Sequence, residues 1–86
     1  MPTKLRKDVS IGKNLKKHRK ALGMSQEEVA AQLQLLGLDT HQKTISDMEL
    51  GRHSIRFSIL LALADLYNVP YTAFFEDIER YEYREN

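Results

Sequence analysis

Ser25-Gln26-Glu27-Glu28-Val29-Ala30 announces a helix without help from any other segment. Serine followed three residues later by glutamate is a capping box, in which the Ser25 hydroxyl accepts from the Glu28 amide and the Glu28 carboxylate accepts from the Ser25 amide. Val29, Ala30, Leu33 and Leu36 then recur at three and four, giving the helix that starts at Gln26 one apolar stripe. Gly37 supplies the left-handed residue that commonly closes a helix, and Leu38 can fold back onto that end. Asp39 and Thr40 form a short polar link able to cap a further helix, unless His41 takes the cap position itself. That further helix covers about 42–50, with Ile45 and Met48 facing inward and Gln42, Lys43, Ser46 and Asp47 left outward, and Gly51 stops it.

Upstream, a helix starts near Asp8 or Ser10 and runs to about Leu22, with Val9, Ile11, Leu15 and Leu22 inward and Gly23 ending it. Downstream, Arg52-His53-Ser54-Ile55-Arg56 reads as a loop. Leu60, Leu61, Leu63, Ala64 and Tyr67 mark the next helix as the most buried one, and Asn68 can take the glycine role at its end. Pro70 opens a fifth helix in which Tyr71, Phe74, Phe75, Ile78 and Tyr81 recur at helical spacing. Such an aromatic stripe is core, or, for the contacts Phe75, Ile78 and Tyr81, the surface that meets a second copy. Apolar residues nowhere alternate, so the expected fold is all-α: a compact five-helix bundle. A flexible basic arm (1–9), one folded domain (10–75) and an acidic aromatic tail (76–86) divide the chain.

With 86 residues, 42% of them hydrophobic, the chain holds one modest core and no second domain. It has no cysteine, which excludes disulfides and thiolate metal sites and suits a reducing cytoplasm. Met1–Ser10 lacks the apolar stretch of a secretory signal. The longest apolar run, Ile59 to Ala64, is far short of the roughly 20 residues that cross a bilayer, so no membrane association is expected. His18, His41 and His53 lack metal-ligand spacing and no glycine-rich phosphate loop is present, so neither an enzyme nor a cofactor is expected. His18 is placed at the edge of the first helix's buried face.

The net charge of +1 conceals a strong asymmetry. Residues 1–24 carry Lys4, Arg6, Lys7, Lys13, Lys16, Lys17, Arg19 and Lys20 against Asp8 alone, while Glu76, Asp77, Glu79, Glu82 and Glu85 outnumber Arg80 and Arg84 at the other end. Clustered bases focus a positive field on a phosphate backbone even in a nearly neutral protein, although a solvated helix face has the same composition.

Taken together, Ile11-Gly12, Leu15, Arg19, the Gly23–Ala30 stretch, Thr44-Ile45-Ser46, Glu49, Gly51 and Leu60-Leu61-Ala62-Leu63-Ala64-Asp65 with Asn68-Val69 resemble the lambda-repressor-like, Cro/Xre-type helix-turn-helix family, over roughly Ile11 to Phe75. The order and spacing of these fragments carry the resemblance. It implies that the second helix lies across a DNA backbone and the third enters the major groove. Gln26 then matches a phosphate-contacting glutamine at a helix amino end, where the dipole favours an anion. Gln42 and Lys43 match base-reading positions, Ser46 and Asp47 those one turn on, and Arg52 and Arg56 phosphate-contacting positions in the following loop. Lys17 is the phosphate candidate from the basic first helix.

The chemistry of these side chains agrees with the roles. Glutamine pairs two-pronged with adenine and lysine donates to guanine, each good contact discriminating by ~1–3 kcal/mol. Asp47 is repelled by phosphates unless it accepts from a cytosine amine; otherwise it orients Lys43, four residues earlier, or faces solvent. Leu33 to Ile45 is about five residues longer than the family's usual spacing, so the turn is extended and the second helix is expected to gain about a turn.

The resemblance thus implies a transcriptional regulator, a repressor or Cro-like switch, that binds double-stranded operator DNA as a homodimer on paired half-sites. The same fold admits an antitoxin-type interaction module that clasps a protein partner with its tail, or a scaffold without DNA binding, against which Lys43, Arg52 and the basic first helix argue. His41 and His53 border the proposed surface. The arm Met1–Lys7 either settles on phosphates through Lys4, Arg6 and Lys7 or is an ordinary frayed terminus.

Overall fold

The computed structural model of the chain describes residues 11–52 and 54–76. They form four α-helices: α1 (Gly12–Ala21), α2 (Gln26–Leu35), α3 (Gln42–Glu49) and α4 (Phe57–Tyr67), followed by one 3-10 turn over Tyr71–Phe75. No strand occurs among the described residues, and no helix among them is long and apolar enough to cross a membrane.

The capping box forms as read, with Glu28 N donating to Ser25 Oγ at 3.0 Å and Ser25 N to Glu28 Oε1 at 2.8 Å. α2 closes through left-handed Gly37 (φ 86°), which lets Gly37 N reach Gln34 O and Leu38 N reach Leu33 O. Leu38 accordingly packs on the core. The long spacing between Leu33 and Ile45 is absorbed largely outside the helix: α2 stops at Leu35, 36–37 form a turn, and 38–41 lead without regular structure into α3. Thr40 anchors that connection: it is fully buried, its hydroxyl donates to Ala30 O at 3.5 Å, and its carbonyl accepts from the Gln34 side chain. Thr40 therefore fills space beneath α2 rather than capping α3; His41 holds the cap position, its N donating to Thr44 Oγ1 at 3.3 Å.

Three apolar residues expected inside lie outside. Leu22 is 50%, Leu36 64% and Leu61 42% exposed. Leu22 and Leu36 occupy the C-cap positions of α1 and α2, where the backbone leaves the helix and the stripe no longer predicts direction. On α4 the inward face passes through Ile59, Leu60, Leu63, Ala64 and Tyr67, which turns Leu61 outward. The first helix begins at Gly12, with Ile11 at its cap; Asp8, Val9 and Ser10 lie outside the described residues.

The expected fifth α-helix is a single 3-10 turn. Pro70 keeps extended backbone (ψ 148°) as its cap, and Glu76 is extended again at ψ 142°. Asn14 of α1 takes the carbonyls of Phe74 and Glu76, each at 2.8 Å, which ties this end of the chain to α1. Phe74 is fully buried against Tyr67 and His18, with ring centroids at 6.1 and 5.8 Å, whereas Tyr71 and Phe75 are 44% and 46% exposed. His18 is half-buried, as expected for the edge of the core face. Ile78 and Tyr81, with the arm 1–9 and the tail from residue 77, lie outside the described residues.

α1 crosses α3 with almost no clearance at Gly12. A Cβ there would lie 2.3 Å from the Glu49 carbonyl oxygen, a backbone atom. Exchange of an interior helical glycine for alanine ordinarily stabilises by ~1 kcal/mol. Gly12→Ala is expected to do the reverse, lowering the melting temperature by several degrees in a calorimetric scan; a stabilised variant would contradict the close crossing.

Candidate nucleic-acid interface

The amino ends of α2 and α3 meet on one side of the molecule, and a buried ion pair holds them there. Arg19 of α1 and Glu49 of α3 have side chains only 9% and 3% exposed. Arg19 Nε donates to Glu49 Oε2 at 2.7 Å and Nη2 to Oε1 at 3.0 Å, the parallel fork that guanidinium and carboxylate favour. Arg19 Nη1 donates to Met24 O at 2.8 Å, so the same side chain also fixes the turn between α1 and α2. The hydrogen bonds that Arg19 donates to Glu49 raise the Arg19 pKa above its ordinary value against the opposing effect of burial.

Outward from this pair runs a file of side-chain amides. Gln26 Nε2, at the start of α2, donates to Glu49 Oε1 at 3.0 Å, and Gln42 Nε2, at the start of α3, donates to Gln26 Oε1 at 2.6 Å. Gln26 and Gln42, the residues read as phosphate and base contacts, are thus in direct contact, with Gln42 exposed. Lys43 beside it is 82% exposed, and its Nζ lies 3.1 Å from Asp47 Oδ2. Asp47, read as a cytosine acceptor, as orienting Lys43 or as facing solvent, lies against Lys43 with its side chain 16% exposed. Ser46, one turn on from Gln42, is half-buried.

Arg52 and Arg56 come together across the connection between α3 and α4. Both line a cleft of about 490 Å³ with Asp39, Thr44, Met48, Ser54 and Ile59. Left-handed Gly51 (φ 77°) sends the chain back so that Arg52 N bonds Asp47 O at 2.8 Å, placing Arg52 just behind the base-reading candidates. Among the described residues neither arginine has a carboxylate partner. Lys17 is exposed on α1 and likewise has no ion pair among them. His41 Nε2 lies 3.5 Å from Asp39 Oδ1 on the exposed connection; His53 is outside the described residues.

Sequence reasoning did not assign the Arg19–Glu49 pair a role. The signal was present: Arg19 follows Leu15 by four residues and Glu49 follows Ile45 by four, so opposite charges occupy the inward stripes of two helices. A charge on an apolar stripe that has a counter-charge on another is a candidate buried pair, because neither ion is tolerated inside alone.

Two outcomes follow from this burial. Arg19→Met leaves Glu49 without its cation and is expected to cost ~3–5 kcal/mol in denaturant unfolding, while Arg19→Met with Glu49→Leu recovers most of that; a loss below ~1 kcal/mol for the single variant would show the pair to be dispensable. Tyr67 provides the pH test. Burial, reinforced by Glu49 and opposed by Arg19, raises its phenol pKa above the ordinary value of about 10. A raised folded-state pKa contributes stability below the unfolded value that is lost as pH rises past it. The melting temperature should therefore fall as pH rises above about 10, and less steeply in Tyr67→Phe; equal slopes would contradict the assignment.

Comparison with known proteins agrees with this geometry. No curated protein and no solved structure gives a significant match. A helix-turn-helix family model matches residues 15–74, from the middle of α1 through the 3-10 turn. The chain belongs to the Cro/C1-type helix-turn-helix family of DNA-binding regulators.

Proposed function

We propose that the chain is a sequence-specific transcriptional regulator that binds operator DNA as a homodimer and represses by occupying the groove that other proteins would need. The observation that carries this reading is the contact between Gln26 and Gln42, which makes the amino ends of two helices one exposed surface. The α2 amino end, with its unsatisfied amides and dipole, suits a backbone phosphate through Gln26. α3 then offers Gln42, Lys43 and Ser46 to base edges in the major groove, with Asp47 steering Lys43 toward a guanine. Arg52, Arg56 and Lys17 supply the sequence-independent attraction to phosphates.

The partner surface is a run of exposed aromatics. Phe57 (60% exposed) and Leu61 (42%) are one turn apart on α4, and Tyr71 and Phe75 adjoin them in the 3-10 turn. Phe57–Tyr71 and Tyr71–Phe75 stack edge to face at 6.0 and 6.5 Å. A second copy related by a two-fold axis meets the same residues on the same face, as an isologous contact requires, and half-sites spaced by one helical turn follow. Phe75 belongs to the contacts expected from the sequence.

Selection from a randomised DNA pool at two salt concentrations tests the reading. The parent should enrich a two-fold-symmetric site; a variant with Gln42→Ala and Lys43→Ala should lose that site but keep weak, salt-sensitive binding. Sedimentation on the selected duplex should give two chains per site, and one with Phe57→Glu. An unenriched pool with no salt-sensitive binding would overturn the assignment, and a single parent chain per site would remove the dimer.

A further inference from the structure

We infer that the outward face of α1 is a docking surface for the chain's own acidic tail, residues 77–86, which seats there in the free protein and must leave before α1 can meet phosphates. The docking concerns the free chain; its consequence for DNA rests on the proposed function.

Lysines make the face. Lys13, Lys16, Lys17 and Lys20 are all exposed, and none has a carboxylate partner among the described residues. Gly12, Leu15 and Arg19 are buried, so with about 3.6 residues per turn Lys13, Lys17 and Lys20 fall on the opposite, outward side of α1. Asn14 borders that side, adjoining Lys13 and one turn before Lys17.

The other end of the chain is delivered to this border. Asn14 Nδ2 donates to Phe74 O and to Glu76 O, each at 2.8 Å. The Glu76 carbonyl carbon is bonded to the Asp77 nitrogen, so the tail begins at Asn14, beside the lysines. From there ten residues reach about 33 Å if extended and about 15 Å if helical. The ten residues of α1 are about 15 Å long, so either conformation spans the face.

Charge selects the occupant. Residues 77–86 set Asp77, Glu79, Glu82 and Glu85 against Arg80 and Arg84, a net charge of −2. Each exposed ion pair is worth little by itself, but a segment tethered at its target meets it at an effective concentration of the order of millimolar. A lysine with a tail carboxylate beside it must exchange that partner for a phosphate. Docking therefore lowers the affinity for DNA most at low salt, and because salt weakens the docking as well, it flattens the salt dependence.

The test compares the parent with a tail variant carrying Asp77→Asn, Glu79→Gln, Glu82→Gln and Glu85→Gln. In the free 15N-labelled proteins at about 20 mM salt, the two should differ at the α1 amides from Lys13 to Ala21, equally at every protein concentration, and converge near about 0.5 M. Differences confined to the tail, to the basic arm, or to α4 and the 3-10 turn overturn the docking, and so do α1 differences that fade on dilution, which place the tail on a second copy. On DNA at low salt the tail variant should bind about three- to tenfold more tightly than the parent, with the gap closing as salt rises. Lys13→Gln, Lys17→Gln and Lys20→Gln together separate docking from plain repulsion between tail and DNA: on that background, neutralising the tail should gain less than about twofold. The full gain there overturns the docking. A parent with no salt-sensitive binding to DNA overturns the proposed function, while the α1 amides of the free protein still decide the docking.

Discussion

The ion pair between Arg19 and Glu49 is the constraint on which the arrangement of the first three helices depends. Through it α1 grips α3, the α1–α2 turn is held by the Met24 carbonyl, and the first residue of α2 is bonded to the same carboxylate. The close crossing at Gly12, where α1 lies against the Glu49 backbone, places the two charges within reach of one another. Buried pairs of this kind seldom add net stability over an apolar replacement, because desolvation offsets most of the attraction. Leucines in its place would still hold the helices together, but they would offer the Gln26 amide no acceptor.

From that centre the outer surface divides by chemistry. Where α2 and α3 begin, amides and helix-end N–H groups dominate, suited to phosphate edges and base edges at short range. Farther along α3, the Lys43–Asp47 pair holds a flexible cation in one orientation. Its salt bridge is exposed at the lysine end and adds little to folding. Arg52 and Arg56 line one cleft beyond the reversal at Gly51 and add positive charge there.

Much of the fold was readable because its signals are local. The Ser25–Glu28 box and the left-handed turns at Gly23, Gly37, Gly51 and Asn68 each depend on residues a few positions apart, and each appears where the sequence places it. Periodicity was less reliable at helix ends, where Leu22 and Leu36 continue a stripe that the backbone has already left. The aromatic spacing after Pro70 is satisfied by one 3-10 turn as well as by the start of an α-helix. What ties down its end is Asn14, sixty residues from Phe74 in sequence, and no local pattern reports that contact. At the candidate interface, Gln26, Gln42 and Lys43 followed from chemistry and family resemblance. Glu49 did not, because its role exists only through Arg19 and Gln26, each on another helix.

The most direct test of the account is an NMR titration of the uniformly 15N-labelled protein with its selected duplex, following side-chain amides together with the backbone. The expected result is that the largest shifts fall on the carboxamides of Gln26 and Gln42 and on the first turn of α3, with smaller changes at Arg52 and Arg56. Shifts concentrated on α4 and the 3-10 turn, with the two carboxamides unmoved, would contradict it.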